Sequence, residues 1–152
     1  MRIVLQRVSR ASVTVAGSVA GSIGPGLLLL VGIEPSDTDE DVQRAVDKVM
    51  NLRVFPDDQG RMNMSLLDCG GSVLVVSQFT LLGDVRKGRR PSYGDAASPE
   101  MAEPMVDRMV ERLRAAGVHT ESGVFGAAME VDLVNSGPVT LVMAINRGRV
   151  VR

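Results

Sequence analysis

The chain has 152 residues, 45% of them apolar and 23% charged, with 17 basic against 18 acidic side chains. That length is one domain's worth and buries enough surface to fold without a disulfide or a metal; the composition excludes a disordered tail, a collagen-like rod and a disulfide scaffold. A formal net charge of −1 excludes a strongly basic nucleic-acid binder but leaves room for a local basic patch.

Residues 2–8 alternate loosely and predict a first strand, with no signal-peptide pattern before it. Residues 11–16 (ASVTVA) are rich in β-branched side chains and predict a second. Gly17-Ser18 reads as a turn, residues 19–23 as its return strand, and Gly24-Pro25-Gly26 as a break. Residues 27–33 are continuously apolar, the pattern of a strand buried on both faces. This run is far short of the ~20 residues a membrane span needs, so a soluble cytoplasmic protein is expected.

The acidic cluster at residues 37–41 suits a helix N-terminus, and Val42, Ala45, Val46, Val49 and Leu52 continue at helical spacing. Residues 55–60 read as a turn, 72–80 as a strong strand and 82–98 as a long loop. Ser98-Pro99 fits an N-cap followed by proline at the first helical position. The stripe Met101, Ala102, Met105, Val106, Met109, Val110 and Leu113 then runs to a stop at Gly117. A short strand is predicted within 118–125, and two more at 129–134 and 139–145, joined through Asn135-Ser136-Gly137-Pro138. The sum is an α+β domain spanning residues 1–152, a curved antiparallel or mixed sheet with two packed helices.

Composition also narrows the chemistry. With one histidine and one cysteine, a four-ligand zinc site cannot be assembled. A Ser-His-Asp arrangement would need His119 as its base, and His119 follows a helix end where a solvent-facing position is expected. No phosphate-binding Gly-x-x-x-x-Gly-Lys-Ser/Thr stretch is present. No metal or cofactor is expected, and an enzyme built on this chain works with few ionisable side chains.

Two segments carry concentrated polar residues: Ser77-Gln78-Phe79-Thr80 at the end of a buried-type strand, and Asn135-Ser136-Gly137-Pro138-Val139-Thr140 between strands. Polar strand ends fit two readings, the lining of a cleft or simple bonding to backbone. Gly137-Pro138 likewise fits a plain trans connection, the common case, or a cis bond offering two carbonyls to one side.

Together with Leu5-Gln6-Arg7-Val8, Ala11-Ser12-Val13, the run from Gly71 to Leu81 and Arg90-Pro91-Ser92, these segments give a chain that resembles the D-aminoacyl-tRNA deacylases from end to end. The resemblance implies a homodimer with a β-barrel-like core that hydrolyses the ester joining a D-amino acid to tRNA, and also glycyl-tRNA mischarged on an alanine tRNA. It implies a cis Gly137-Pro138 pair inserted into the partner's site near Ser77, Gln78, Phe79 and Thr80, with Ala102, Phe125 and Met129 completing the pocket. In that frame the carbonyls of Gly137 and Pro138 grip the substrate ammonium, and an L side chain is driven into the backbone. Thr80 is then either a nucleophile or part of a cradle of N–H groups, with the tRNA 2′-hydroxyl assisting water. Arg7 is either a brace for the Gly-Pro loop or a plain surface arginine. Arg86, Lys87, Arg89 and Arg90 are candidates for tRNA phosphates, as is a second cluster of Arg147, Arg149 and Arg152. Tyr93 stands where a phenylalanine is expected, and the tail from Asn146 runs past the expected end of bacterial relatives.

Overall fold

The computed structural model describes residues 1–152. The chain opens on β1 (Arg2–Val15), a single strand of 14 residues where two were predicted. The two predicted segments are joined because the pairing with a later strand slips on either side of Val8, bending β1 without ending it. Ala16 and Gly17 both take positive φ, 49° and 81°, in the two-residue turn that matches strand twist. β2 (Ser18–Ile23) returns along the distal half of β1, and β3 (Gly26–Gly32) pairs with its proximal half. The two strands therefore cover the same edge of β1 in succession.

Helix α1 (Asp39–Asn51) starts from Thr38, whose hydroxyl and backbone share a capping box with Asp41. A small hairpin of β4 (Phe55–Pro56) and β5 (Met62–Met64) leads to α2 (Leu66–Cys69), a one-turn helix not foreseen in the sequence. β6 (Ser72–Ser77) runs parallel to β3. Helix α3 (Pro99–Ala115) begins at the predicted cap with proline at its start. β7 (Thr120–Ser122) adds parallel to β6. β8 (Glu130–Asn146) lies along the other edge of β1, and β9 (Arg149–Val150) folds back on its end. The order β7-β6-β3-β1-β8-β9, with β2 beside β1, makes a mixed sheet curled into a half-barrel. No helix is long and apolar enough to cross a membrane.

The larger core lies between the sheet and helices α1 and α3, and takes Ile3, Leu5, Leu27, Leu29, Val73 and Val75 from the strands. A second cluster on the opposite face holds Val8, Val13, Ile23, Leu28, Leu74 and Val76. The unbroken apolar run of β3 thus has its cause: alternate residues serve two cores. His119 is exposed, as its position past the α3 end predicts. The tail beyond Asn146 is structured by β9, by a second tight turn at Arg147 (φ 51°) and Gly148 (φ 66°), and by a 2.8 Å bond from the Gly148 N–H to Asp41 Oδ1.

Gly26 marks the closest approach in the sheet. A Cβ there would sit 1.9 Å from the carbonyl oxygen of Ser72, inside the β3–β6 pairing. Gly24, two residues earlier, has open space around it. Gly26→Ala should cost about 3 kcal/mol or more by pushing β3 off β6, whereas Gly24→Ala should stay within about 0.5 kcal/mol. Thermal or urea unfolding of the two variants side by side checks this.

Candidate active site

Hydrogen bonding defines where β6 ends. The Gln78 N–H still donates to Val31 O at 2.7 Å, but Gln78 turns to φ −145°, ψ 75°, and Phe79–Leu82 wind into a 3-10 helix. The strand predicted to reach residue 80 stops at Ser77. The β-propensity of Phe79 and Thr80 is overridden because Gly83 N–H closes the turn onto Thr80 O at 3.0 Å. A helix start leaves its first donors unpaired. Phe79 and Thr80 are the first two residues of this turn, so their N–H groups find no acceptor inside it.

Beside that end lies a cleft of about 360 Å³. Its floor is Val31 and Ser77, the ends of the paired strands β3 and β6. One wall is the start of α3 with Ala102 and Val106; the other sides are Gln78, Phe79, Phe125, Tyr93, Ala96 and Ala97. No Asp, Glu, His, Lys, Arg or Cys lines it; its polar side chains are those of Ser77, Gln78 and Tyr93. Ala102 is buried and small, leaving space that a larger residue on the α3 stripe would fill.

Five sequence candidates therefore meet in one place: Ser77, Gln78, Phe79, Ala102 and Phe125. Thr80 is exposed on the adjoining turn, where its Oγ1 accepts a hydrogen bond from Gln78 Nε2. Met129 lies elsewhere, lining a separate depression with Thr14 and Ala128 and packing partly buried against the second core.

Gly137 and Pro138 are also outside the cleft lining of their own chain. They belong to a looped excursion of β8. Gln6 of β1 faces Thr140 and Val8 faces Asn135, so Arg7 alone spans the level at which β8 accommodates residues 136–139. The sequence suggested two strands and a connection; β8 is one strand carrying this excursion. The Gly137–Pro138 peptide is cis, and both residues are exposed. Gly137 has φ 147°, and a Cβ there would fall 2.8 Å from Val139 N and 3.1 Å from Arg7 Nη2, so only glycine fits.

Two side chains hold the excursion. Arg7 Nε donates to Ser136 O at 2.8 Å and its Nη1 donates to Val54 O, tying the loop to the segment before β4. Asn135 carried no assigned role within the polar segment 135–140, yet its amide closes the loop base. Its Nδ2 donates to Val139 O at 3.1 Å while its Oδ1 accepts from Val139 N–H at 2.8 Å, reproducing a strand pair within one strand. Thr140 Oγ1 receives Asn135 Nδ2 and Gln6 Nε2. The signal available in the sequence was an amide and a hydroxyl bracketing Gly-Pro.

The basic segment 86–90 is exposed, in the arm closed by the Asp84–Ser92 bridge. Arg86 is committed to Asp84 through two bonds of 2.9 and 2.8 Å, and its guanidinium holds the Asp84 carboxyl below the usual carboxylate range. Lys87, Arg89 and Arg90 form no ion pair.

By fold and cleft, this is a half-barrel protein with a mostly apolar cleft at the end of its β3–β6 strand pair. A family model described as D-Tyr-tRNA(Tyr) deacylase matches residues 4–144. The D-aminoacyl-tRNA deacylase of Thermomicrobium roseum is 60% identical over 141 residues, covering 93% of this chain and 92% of that protein. That of Herpetosiphon aurantiacus is 55% identical over 143 residues, 94% of each. Among solved structures, the c-Myc DNA Unwinding Element Binding Protein superposes with a TM-score of 0.89 at 40% identity, covering 96% of this chain and 99% of that one. A probable eukaryotic D-amino acid tRNA deacylase shares the fold, with a TM-score of 0.81 at 21% identity over 93% of this chain and 97% of that one. The chain belongs to the D-Tyr-tRNA(Tyr) deacylase family.

The two Arg7 contacts predict that Arg7→Ala lowers the unfolding free energy by about 1.5 kcal/mol, the low end for charge-assisted bonds because Arg7 is half-exposed. Arg7→Lys should not restore it, since one ammonium lacks the fork that reaches two divergent carbonyls. Urea titration of the three proteins gives the comparison.

Proposed function

We propose that this protein hydrolyses the ester between a D-amino acid and the 3′-terminal adenosine of tRNA, releasing both, and rejects the L-aminoacyl form. What carries this reading is the composition of the cleft: a mostly apolar lining with no carboxylate, imidazole, amine, guanidinium or thiol, beside the free N–H groups that open the 3-10 turn, in a chain 55–60% identical to D-aminoacyl-tRNA deacylases. Ester hydrolysis develops negative charge on the carbonyl oxygen, and main-chain donors fixed at that position stabilise it without reorganising. Phe79 and Thr80 N–H supply such donors, and the substrate's own 2′-hydroxyl assists the attacking water. A Thr80 nucleophile is disfavoured by its surroundings. Its Oγ1 receives a proton donor, Gln78, rather than facing a base.

Stereochemical selection is assigned to Gly137 and Pro138. Their carbonyls accept the substrate ammonium, and once ammonium and ester are fixed, an L side chain meets backbone while a D side chain points away. Glycine carries nothing to exclude, so glycyl-tRNA mischarged on an alanine tRNA also reacts. Within one chain the excursion is not part of the cleft, so a second copy is needed to bring it there, and the working unit is a homodimer. The exposed apolar side chains Val134, Leu141 and Val142, on the strand that bears the excursion, support such an interface. Lys87, Arg89 and Arg90 meet phosphates of the tRNA acceptor end.

Incubation with D-tyrosyl-tRNA and L-tyrosyl-tRNA tests the reading: only the first should be deacylated. Equal inertness would indicate a non-catalytic RNA-binding or assembly module, and equal cleavage a general hydrolase. Thr80→Ala should keep at least about a third of kcat, whereas loss of all turnover would reinstate Thr80 as nucleophile. With no carboxylate, imidazole, amine or thiol lining the cleft, kcat should lack the bell-shaped profile of a side-chain acid and base between pH 5 and 9. Gly137→Ala should reduce D-tyrosyl-tRNA cleavage by at least ~10-fold while leaving the fold intact by circular dichroism, because the excursion must shift to accept a Cβ.

A further inference from the structure

Phe79 and Tyr93 form an aromatic pair at the cleft mouth that the proposed chemistry leaves unused. Phe79 is 56% exposed, a large apolar ring held in solvent at the first position of the 3-10 turn. Left alone, such a side chain would exchange among rotamers. It is met instead by the ring of Tyr93, with centroids 5.0 Å apart and planes at 74°, the edge-to-face geometry that aromatic quadrupoles prefer.

Tyr93 is itself firmly placed. Asp84 and Ser92 exchange both backbone bonds, 2.7 and 2.9 Å, so the residues between them form an arm closed at its base. Tyr93 follows that closure directly, and its carbonyl accepts the Ala96 N–H at 3.1 Å. Its ring also covers Gly83, where a Cβ would come within 3.0 Å of Tyr93 Cε1. Gly83 is the residue whose N–H closes the 3-10 turn onto Thr80. One ring thus touches both ends of the turn that carries the unpaired Phe79 and Thr80 donors.

We propose that Tyr93 is a positioning residue for the deacylation: clamped between Phe79 and Gly83, it fixes the turn whose N–H groups face the reacting carbonyl. This inference rests on the function proposed above. The ring, rather than the hydroxyl, does the positioning, and the effect falls on kcat because the donors act on the transition state.

The test compares wild type with Tyr93→Phe, Tyr93→Leu and Tyr93→Ala on two substrates, D-tyrosyl-tRNA and 3′-O-D-tyrosyl-adenosine, which carries the ester without the tRNA phosphates. Tyr93→Phe should stay within about twofold of wild type on both. Tyr93→Leu, which keeps bulk but loses the edge-to-face contact, should lose about three- to tenfold in kcat on both, with KM nearly constant and a melting temperature only a few degrees lower. Tyr93→Ala should lose at least as much. Wild-type kcat in Tyr93→Leu, a change confined to KM, or a loss equal in Tyr93→Phe would overturn the assignment. Failure of the wild-type protein to cleave D-tyrosyl-tRNA would instead remove the underlying function, and the assignment with it.

Discussion

The Gly137-Pro138 excursion depends on a mismatch in strand register. Between Gln6 and Val8, β1 offers one residue, while β8 must fit four between Asn135 and Thr140. The surplus chain has to leave the sheet, and it leaves with Ser136, Gly137 and Pro138 exposed. Arg7, the residue left opposite the gap, binds the Ser136 carbonyl, and Asn135 restores the missing strand pair with its own amide. A sheet otherwise built for packing thereby presents main-chain acceptors at a fixed place. The β6 end shows the complementary device: the turn at 79–82 leaves donors unpaired. Acceptors on one element and donors on another are the groups an aminoacyl ester offers partners for, and neither needs an ionisable side chain.

Much of the fold was legible in the sequence because local chemistry and tertiary context agree there. The leucine run of β3 reports burial on both faces, and the structure supplies two cores for it. Proline at the start of α3 and the Thr38–Asp41 capping box of α1 are local signals that tertiary packing does not override. Where the two disagree, the sequence misleads. Phe79 and Thr80 have strand propensity, but a bond from Gly83 turns them into a 3-10 helix. The joining of two apparent strands into β1 depends on pairing with β8 more than a hundred residues away, which no local window contains.

The site was legible to the extent that its residues lie on adjacent strand ends. Ser77, Gln78 and Phe79 are consecutive, and Ala102 sits on a visible helical stripe. Met129 is near the cleft in neither wall nor floor, because the chain from Gly126 turns toward the second core before β8 begins. Asn135 was hidden for another reason. Its task is to imitate backbone, so nothing in its residue type distinguishes it from an ordinary turn asparagine until the register is known.

β8 also has a long outer edge, paired only at its last residues by β9. An extended, uncovered edge strand is a template on which other chains aggregate. Here Pro138 removes one donor from that edge, the excursion breaks its regular spacing, and β9 caps its end. The same excursion that exposes Gly137 and Pro138 therefore spoils the strand as a seed for fibril growth.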